Sequence, residues 1–294
     1  MKAGVYGQYY KSETQSYIEI LLKALYDRNI DVVIEKDFYH AINKKKLPLE
    51  NYSTFTNYSD LSSDLDFMLT VGGDGTFLRA ATYVRDLKIP ILGINVGRLG
   101  FLATVQKNEI AAAMDKLVNK EYEILKRSLL KIETSKKGQL LTDLNIALNE
   151  ITVSRRNTTS MITVETWLNG EYLNSYWADG LIVATPTGST GYSLSCGGPV
   201  ITPDTQSLVV TPIAPHNLNA RPLVIPDSTE ITLRVSTREK SVLVSLDSRI
   251  TTIDPSVTLY ISKASYSLKT IQFSDKTFFN TLREKLLWGE DKRN

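Results

Sequence analysis

The run Phe67-Met68-Leu69-Thr70-Val71 followed by Gly72-Gly73-Asp74-Gly75-Thr76 constrains this chain more than any other stretch. Five mostly apolar residues are a buried strand by length and composition. Three glycines around one Asp break the strand. Phe77-Leu78-Arg79-Ala80-Ala81-Thr82-Tyr83-Val84 then reads as a helix. A strand, a glycine turn and a helix start together form an anion site. Glycine lets the backbone approach a phosphate closely, and the helix N-terminus supplies free N–H donors and partial positive charge. An Asp is electrostatically out of place in a loop that only holds phosphate. It makes sense facing a metal ion or a hydroxyl about to attack the phosphate.

The same β-α alternation runs through the first third of the chain. Ala3 to Tyr6, Asp31 to Glu35 and Ile89 to Asn95 read as further strands. The opening Met1 to Gly7 lacks the apolar core of a signal peptide and forms the first of them. Ser12-Glu13-Thr14-Gln15 resembles a capping box, ahead of Ile18, Leu21, Leu22 and Leu25 on one helical face. Such alternation predicts a parallel sheet flanked by helices, with functional loops at the C-terminal strand ends. The glycine turn and the loop Asn95-Val96-Gly97-Arg98-Leu99-Gly100-Phe101 both stand there. Lys36 to about Leu65 reads as a partly ordered loop, and its basic run Asn43-Lys44-Lys45-Lys46 as a solvated face.

From about Glu121 the pattern changes to short β-branched and aromatic runs: 123–132, 146–153, 161–168, 180–184, 208–213, 231–235, 242–246 and 257–261. Asn169-Gly170 is a type I′ hairpin signal. This predicts an all-β sandwich. Thr277 to Trp288 returns to helical spacing, with Phe278, Leu282 and Leu286 aligned. The expected organisation is an α/β domain over 1–104, completed by about 272–294 packing back on it, and an all-β nucleotide-binding domain over 105–271.

The 34 basic and 32 acidic residues, net +2, give no long-range attraction to nucleic acid or a membrane surface. No apolar run approaches the ~18 residues that span a bilayer. A single cysteine, Cys196, excludes an intramolecular disulfide and suits a reducing cytosol. With two histidines besides, a structural zinc site is not expected. His40 and His216 lack a nucleophile or a metal-spaced partner, and Cys196 lacks a matched base. There is no Walker loop and no Gly-x-Gly-x-x-Gly fingerprint.

A second informative stretch runs from Asp179 to Pro199. A buried strand, Gly180 to Ala184, leads into Thr185-Pro186-Thr187-Gly188-Ser189-Thr190-Gly191-Tyr192-Ser193-Leu194-Ser195. Small hydroxyl residues and glycines present many donors at little steric cost, and Tyr192 adds a ring able to stack on a base. Taken alone, the loop reads equally as a Ser/Gly-rich turn; beside the first motif a nucleotide cradle is the stronger reading.

Gly72-Gly73-Asp74-Gly75-Thr76 and Asp179 to Pro199, with Asn149-Glu150 between them, together resemble the NAD kinases. Asn95 to Phe101 and the closing Phe278 to Leu286 extend the resemblance over most of the chain. The first motif alone is shared with lipid kinases and phosphofructokinases. The resemblance implies transfer of the γ-phosphoryl of ATP, or of polyphosphate in some relatives, to the 2′-hydroxyl of the adenosine ribose of NAD. It further implies a site between the two domains, Mg²⁺ or another divalent cation with protein ligands unnamed, a cytoplasmic setting, and a homodimer or homotetramer. Asp74 would orient the hydroxyl and take its proton as the bond to phosphorus forms. Gly73 and Gly75 would admit the phosphates, and Arg79, one helical turn on, reaches a pyrophosphate or faces solvent.

By the residues alone Asn149 and Glu150 merely end a strand; the resemblance implies that they hold nucleotide hydroxyls or a base edge. It implies that Asp179 accepts from a base amino group, and that Thr187, Thr190, Gly191, Tyr192, Ser193 and Ser195 line the pocket. Trp177 stands where many relatives carry a basic residue. Arg249, in Leu246-Asp247-Ser248-Arg249, stands where relatives often carry Gln, and is expected to bind the ligand; Asp247 reads as a turn residue. Two rivals stay open: a lipid or sugar kinase of the same superfamily, and a non-catalytic NAD(P) sensor.

Overall fold

A computed structural model of the chain describes residues 1–8, 12–43, 52–136, 144–157 and 160–287. It divides into two compact units, Met1–Lys126 with Leu268–Asn294, and Arg127–Ser267.

The first unit contains β1 (Lys2–Gly7), α1 (Ser12–Tyr26), β2 (Asp31–Glu35), α2 (Lys36–Asn43), β3 (Ser53–Phe55), β4 (Phe67–Gly72), α3 (Asp74–Val84), β5 (Ile91–Asn95), β6 (Ala103–Val105), α4 (Ile110–Val118) and β7 (Glu123–Arg127). It closes with β20 (Leu268–Gln272) and α6 (Phe278–Leu286). The eight-stranded sheet has the order β3-β2-β1-β4-β5-β20-β7, with β6 beside β5. Strands β1 to β6 pair in parallel. Central β4 is buried at every position. Both of its faces are covered, so it reads as a continuous apolar run rather than an alternating one. Ile18, Leu21, Leu22 and Leu25 of α1 join Met114 and Leu117 of α4 over one face of the sheet.

The stretch from Lys36 to Leu65, expected as a loop, holds α2, β3 and a 3₁₀ turn at Tyr58–Asp60. Glu35 caps α2 by accepting the Phe38 N–H at 2.8 Å, and Phe38 and Ile42 then reach the core. β3 is a three-residue edge strand whose only deeply buried side chain is Phe55. Too few of its residues touch the core to leave an apolar pattern. Lys44 to Lys46 lie outside the described residues.

The second unit contains β8 (Leu130–Thr134), β9 (Ile146–Ala147), β10 (Glu150–Ser154), β11 (Ile162–Leu168), β12 (Glu171–Ala178), β13 (Gly180–Ala184), the short α5 (Tyr192–Ser195), β14 (Ser207–Ile213), β15 (Leu223–Pro226), β16 (Ile231–Ser236), β17 (Val242–Leu246), β18 (Arg249–Ile253) and β19 (Leu259–Lys263). These make two antiparallel six-stranded sheets, β15-β14-β13-β10-β17-β18 and β12-β11-β16-β19-β8-β9. Ile151, Val183, Val210 and Val244 of one sheet share a core with Ile132, Val164, Leu233 and Ile261 of the other, as a sandwich requires. Asn169 and Gly170 join β11 to β12 with φ of 50° and 83°, the two left-handed residues of a type I′ turn.

The run 123–132, read from sequence as one strand, is two: β7 lies in the first sheet and β8 in the sandwich. The chain passes from one unit to the other between Lys126 and Arg127, and back after Ser267. Residues 105–126 go with the first unit because α4 buries its apolar stripe against α1.

Leu69, fully buried at the middle of β4, tests the dependence of the first unit on its central strand. Leu69→Ala is expected to cost about 2–5 kcal/mol of stability, measured by urea denaturation of the purified protein.

Candidate active site

The Asp74 carboxylate is held by backbone. β4 ends at Gly72, Gly73 is the N-cap of α3, and Asp74 is the first helical residue. Thr76 buries its side chain beside Gln8. Asp74 faces the connection between β5 and β6. Its Oδ2 accepts the Phe101 N–H at 2.9 Å, and its Oδ1 accepts those of Leu102 and Ala103 at 3.0 Å each. The Lys285 ammonium of α6 stands 3.7 Å from Oδ2 and 5.0 Å above the Phe101 ring. Phe101 also packs on Phe278 of α6. A Cβ at Gly100 would collide with the carboxylate, so only glycine admits this approach. Asn95 braces the same loop by donating to Arg98 O at 2.7 Å and Ala103 O at 3.2 Å.

An ionised carboxylate offers about four lone-pair positions. Three N–H groups use three, so one is left for a hydroxyl. Gly73 and Gly75 face open space: a Cβ on either would meet nothing within 4 Å. A ligand can therefore reach the turn's backbone.

Arg79 is exposed and borders a cleft of about 350 Å³ at the C-terminal ends of β1 and β2. Tyr6, Gln8, Glu35, Asp37 and Tyr83 also line it. Burial, followed by the neighbouring Tyr83, pushes the Tyr6 phenol up to about 12, so it stays a neutral donor there.

The other predicted residues belong to the second unit, around the ends of β10 and β13. Asn149 precedes β10, and its carbonyl accepts the Thr185 N–H at 2.8 Å. Thr185 Oγ1 donates to Leu148 O at 2.6 Å and accepts the Gly188 N–H at 3.1 Å. A Cβ at Gly188 would strike the Asn149 carbonyl, so the two turns interlock only with glycine at 188. A Cβ at Gly191 would come within 2.9 Å of Glu150 Oε2 and 3.4 Å of Asn149 Nδ2. Asn149, Glu150 and Gly191 therefore converge, with the exposed ring of Tyr192 at their edge.

Other members have different surroundings. Ser193 is fully buried, its hydroxyl 2.8 Å from Thr211 Oγ1. Thr187 is buried and its Oγ1 accepts from Arg127 at 3.1 Å; Thr190 Oγ1 donates to Thr187 O at 3.2 Å. Ser195 is exposed. Asp179 pairs with Arg155 at 2.8 Å, a partner that sequence spacing did not disclose because it comes from the end of a neighbouring strand. Trp177 lies half-exposed over His216, ring centroids 4.2 Å apart. Arg249 donates to the carbonyls of Leu144, at 2.7 Å, and Ile146.

Two buried acceptors in this cluster, Asn149 Oδ1 and Glu150 Oε2, have no protein partner. Burial, and after it the charge of Asp247, push the Glu150 carboxyl from 4.5 to about 7, against a lowering backbone hydrogen bond from Tyr192. Buried polar atoms without partners are rare, and a pair of them side by side marks a place for a polar ligand.

Family models agree with both halves of this geometry. The ATP-NAD kinase N-terminal domain matches residues 4–122, and the ATP-NAD kinase C-terminal domain matches 148–273. The chain belongs to the NAD kinase family. It is 56% identical to an NAD kinase of Flavobacterium psychrophilum and 54% identical to one of Flavobacterium johnsoniae, in both cases over all of each chain. Among solved structures it is similar to an Archaeoglobus fulgidus NAD kinase in complex with ATP, with a TM-score of 0.74, 26% identity and 98% of each chain covered. Yeast NADH kinase complexed with NADH superposes with a TM-score of 0.87 over 99% of this chain and 89% of that one. At 24% identity this likeness speaks for the fold. Family membership accounts for the pairing of an α/β unit with an antiparallel β unit.

Glu150 links this NAD kinase's stability to pH. Its folded value of about 7 lies above the 4.5 of an unfolded chain, so the native state holds that proton more tightly. The resulting stabilisation is complete below pH 4.5 and lost as pH rises through about 7. Glu150→Gln is expected to remove a pH-dependent contribution on the order of 3 kcal/mol, flattening melting temperature against pH in that window.

Proposed function

We propose that Asp74 is the general base in phosphorylation of NAD, the reaction of this family. The γ-phosphoryl of ATP is transferred to the 2′-hydroxyl of the adenosine ribose, giving NADP. The observation that carries this reading is the Asp74 carboxylate, half-buried at the first position of α3, oriented by three backbone N–H groups, with Lys285 3.7 Å from Oδ2 and the open glycines Gly73 and Gly75 on either side of it in the chain. Three hydrogen bonds orient the carboxylate before the substrate arrives. The remaining lone pair accepts the hydroxyl hydrogen and aims the oxygen at the phosphorus. A ribose hydroxyl is a very weak acid, so its proton moves to Asp74 only as the new P–O bond forms.

Gly73 and Gly75 leave the turn's backbone open to phosphate, and the N-terminus of α3 contributes partial positive charge. Arg79, on the rim of the cleft at the ends of β1 and β2, is the residue we assign to a donor phosphate. Among the described residues no group of three His, Cys, Asp or Glu side chains could hold a metal ion. A divalent cation such as Mg²⁺ would supply charge neutralisation at the donor phosphates. Asn149 Oδ1 and Glu150 Oε2 offer a diol or a base edge the partners they lack within the protein.

Among the described residues no helix is long and apolar enough to cross a membrane. The enzyme would work in the cytoplasm with NAD and ATP, as a homodimer or homotetramer that light scattering can size.

Purified protein with NAD, ATP and Mg²⁺ is expected to yield NADP, read with an NADP-specific dehydrogenase; polyphosphate in place of ATP tests the donor. Asp74→Asn should lower kcat by at least ~100-fold with little change in NAD affinity. A sensor would bind NAD in both forms and turn it over in neither. Arg79→Ala should raise KM for ATP by about tenfold and leave KM for NAD unchanged, since a lost phosphate contact costs roughly 1.5 kcal/mol.

A further inference from the structure

Asp247 is the first residue of the two-residue turn between β17 and β18, with φ of 54°. A surface turn would leave such a side chain in water. This one is directed inward. Its Oδ2 accepts the Leu148 N–H at 3.1 Å, and its Oδ1 accepts those of Asn149 at 2.7 Å and Glu150 at 3.3 Å. Its own N–H donates to Glu150 O at 3.0 Å, and its carbonyl accepts the Ser245 hydroxyl at 2.7 Å. One side chain thus satisfies three successive amides of the Asn149–Glu150 turn. The side chains of that turn are left with buried, unpartnered acceptors. Backbone secured from behind and side-chain atoms left unbonded in front is the construction of a preorganised binding pair.

We infer that Asp247 is a positioning residue that holds Asn149 and Glu150 for nucleotide hydroxyls. This rests on the reading of Asn149 and Glu150 as nucleotide-binding residues. Asp247 also acts on Glu150 through charge. Burial raises both carboxyls. Three N–H bonds and the nearby Arg249 favour the charged form of Asp247, whereas Glu150 has only the Tyr192 backbone bond. The other titratable groups acting near Glu150 are Tyr192 and Cys196, both raised chiefly by burial and neutral at pH 7, while Asp179 is engaged with Arg155. These bonds favour the negative charge on Asp247 over one on Glu150, and below about pH 7 Glu150 meets its ligand as a neutral acid able to donate as well as accept. Loss of that proton would put a second buried anion in front of a ligand that is itself anionic, so NAD affinity should fall as pH rises through about 7.

The test is the dissociation constant and KM for NAD, with kcat, across about pH 5 to 9 in wild type, Asp247→Asn, Asp247→Gly and Glu150→Gln. Gly suits the left-handed position, so Asp247→Gly removes the charge without backbone strain and replaces the Asn variant should that one not fold. In wild type, KM for NAD should rise about tenfold through neutrality, and in Glu150→Gln this rise should vanish. In the Asp247 variants the midpoint should move down by about one pH unit, because a like charge is gone. Their KM should rise by about tenfold while kcat at saturating NAD stays within about threefold. An unshifted midpoint, or a fall in kcat as large as the rise in KM, overturns the positioning role. A flat wild-type profile overturns the charge coupling. NAD affinity in Glu150→Gln equal to wild type at every pH would instead discard the underlying reading of Glu150 as a nucleotide residue.

Discussion

The acceptance of three consecutive backbone N–H groups by Asp74 is the interaction on which the rest of the first unit's chemistry depends. It joins two loops at the C-terminal ends of adjacent parallel strands, β4 and β5. Neither loop could settle alone: the amides of Phe101 to Ala103 need an acceptor, and an acid on a glycine turn needs donors. Gly100 makes the approach possible, and Lys285 with Phe278 brings the last helix over the same point. A residue at the first position of a helix is also favoured there by its negative charge. The bonds that orient Asp74 structurally are the same ones its proposed role as a base would need in place before substrate arrives.

The second unit uses the same device with the parts exchanged. Asp247 is the acid that accepts three successive N–H groups, and the turn it secures carries the side chains left open. In both places a buried or half-buried carboxylate accepts three amide N–H groups, with a cation, Lys285 or Arg249, nearby. Amides do not move with pH or salt as charged side chains do, so the geometry they impose is robust. The β sandwich supplies the rigidity: β10 lies between β13 and β17, and the loops at its end inherit the register of all three.

Much of the fold was legible because its local signals were strong. Asp31–Glu35, the strand before Gly72, the Asn169-Gly170 turn and the closing helix all stand where periodicity and turn chemistry put them. The stretch from Lys36 to Leu65 was not legible, since α2 is short and β3 contributes one core side chain. The division of 123–132 into strands of two different sheets was equally hidden, because strand composition does not name a partner. In the site, Asp74 and the Ser/Gly-rich loop could be singled out by residue type. The burial of Ser193 against Thr211 could not, nor the service of Arg249 to the carbonyls of Leu144 and Ile146.

By itself, the sequence determined where the strongly patterned strands and helices lie, that an acid sits in a glycine turn between a strand and a helix, and which family this chain resembles. These follow from composition, spacing and local backbone preference, which act over a few residues. Only the tertiary structure decided that Asp74 meets the amides of 101–103, that Asp247 turns inward to the amides of Asn149 and Glu150, and that Arg155 pairs with Asp179. Those contacts join residues about 25 to 100 positions apart. Nothing in a chain's local pattern encodes such distances; strand order and register do.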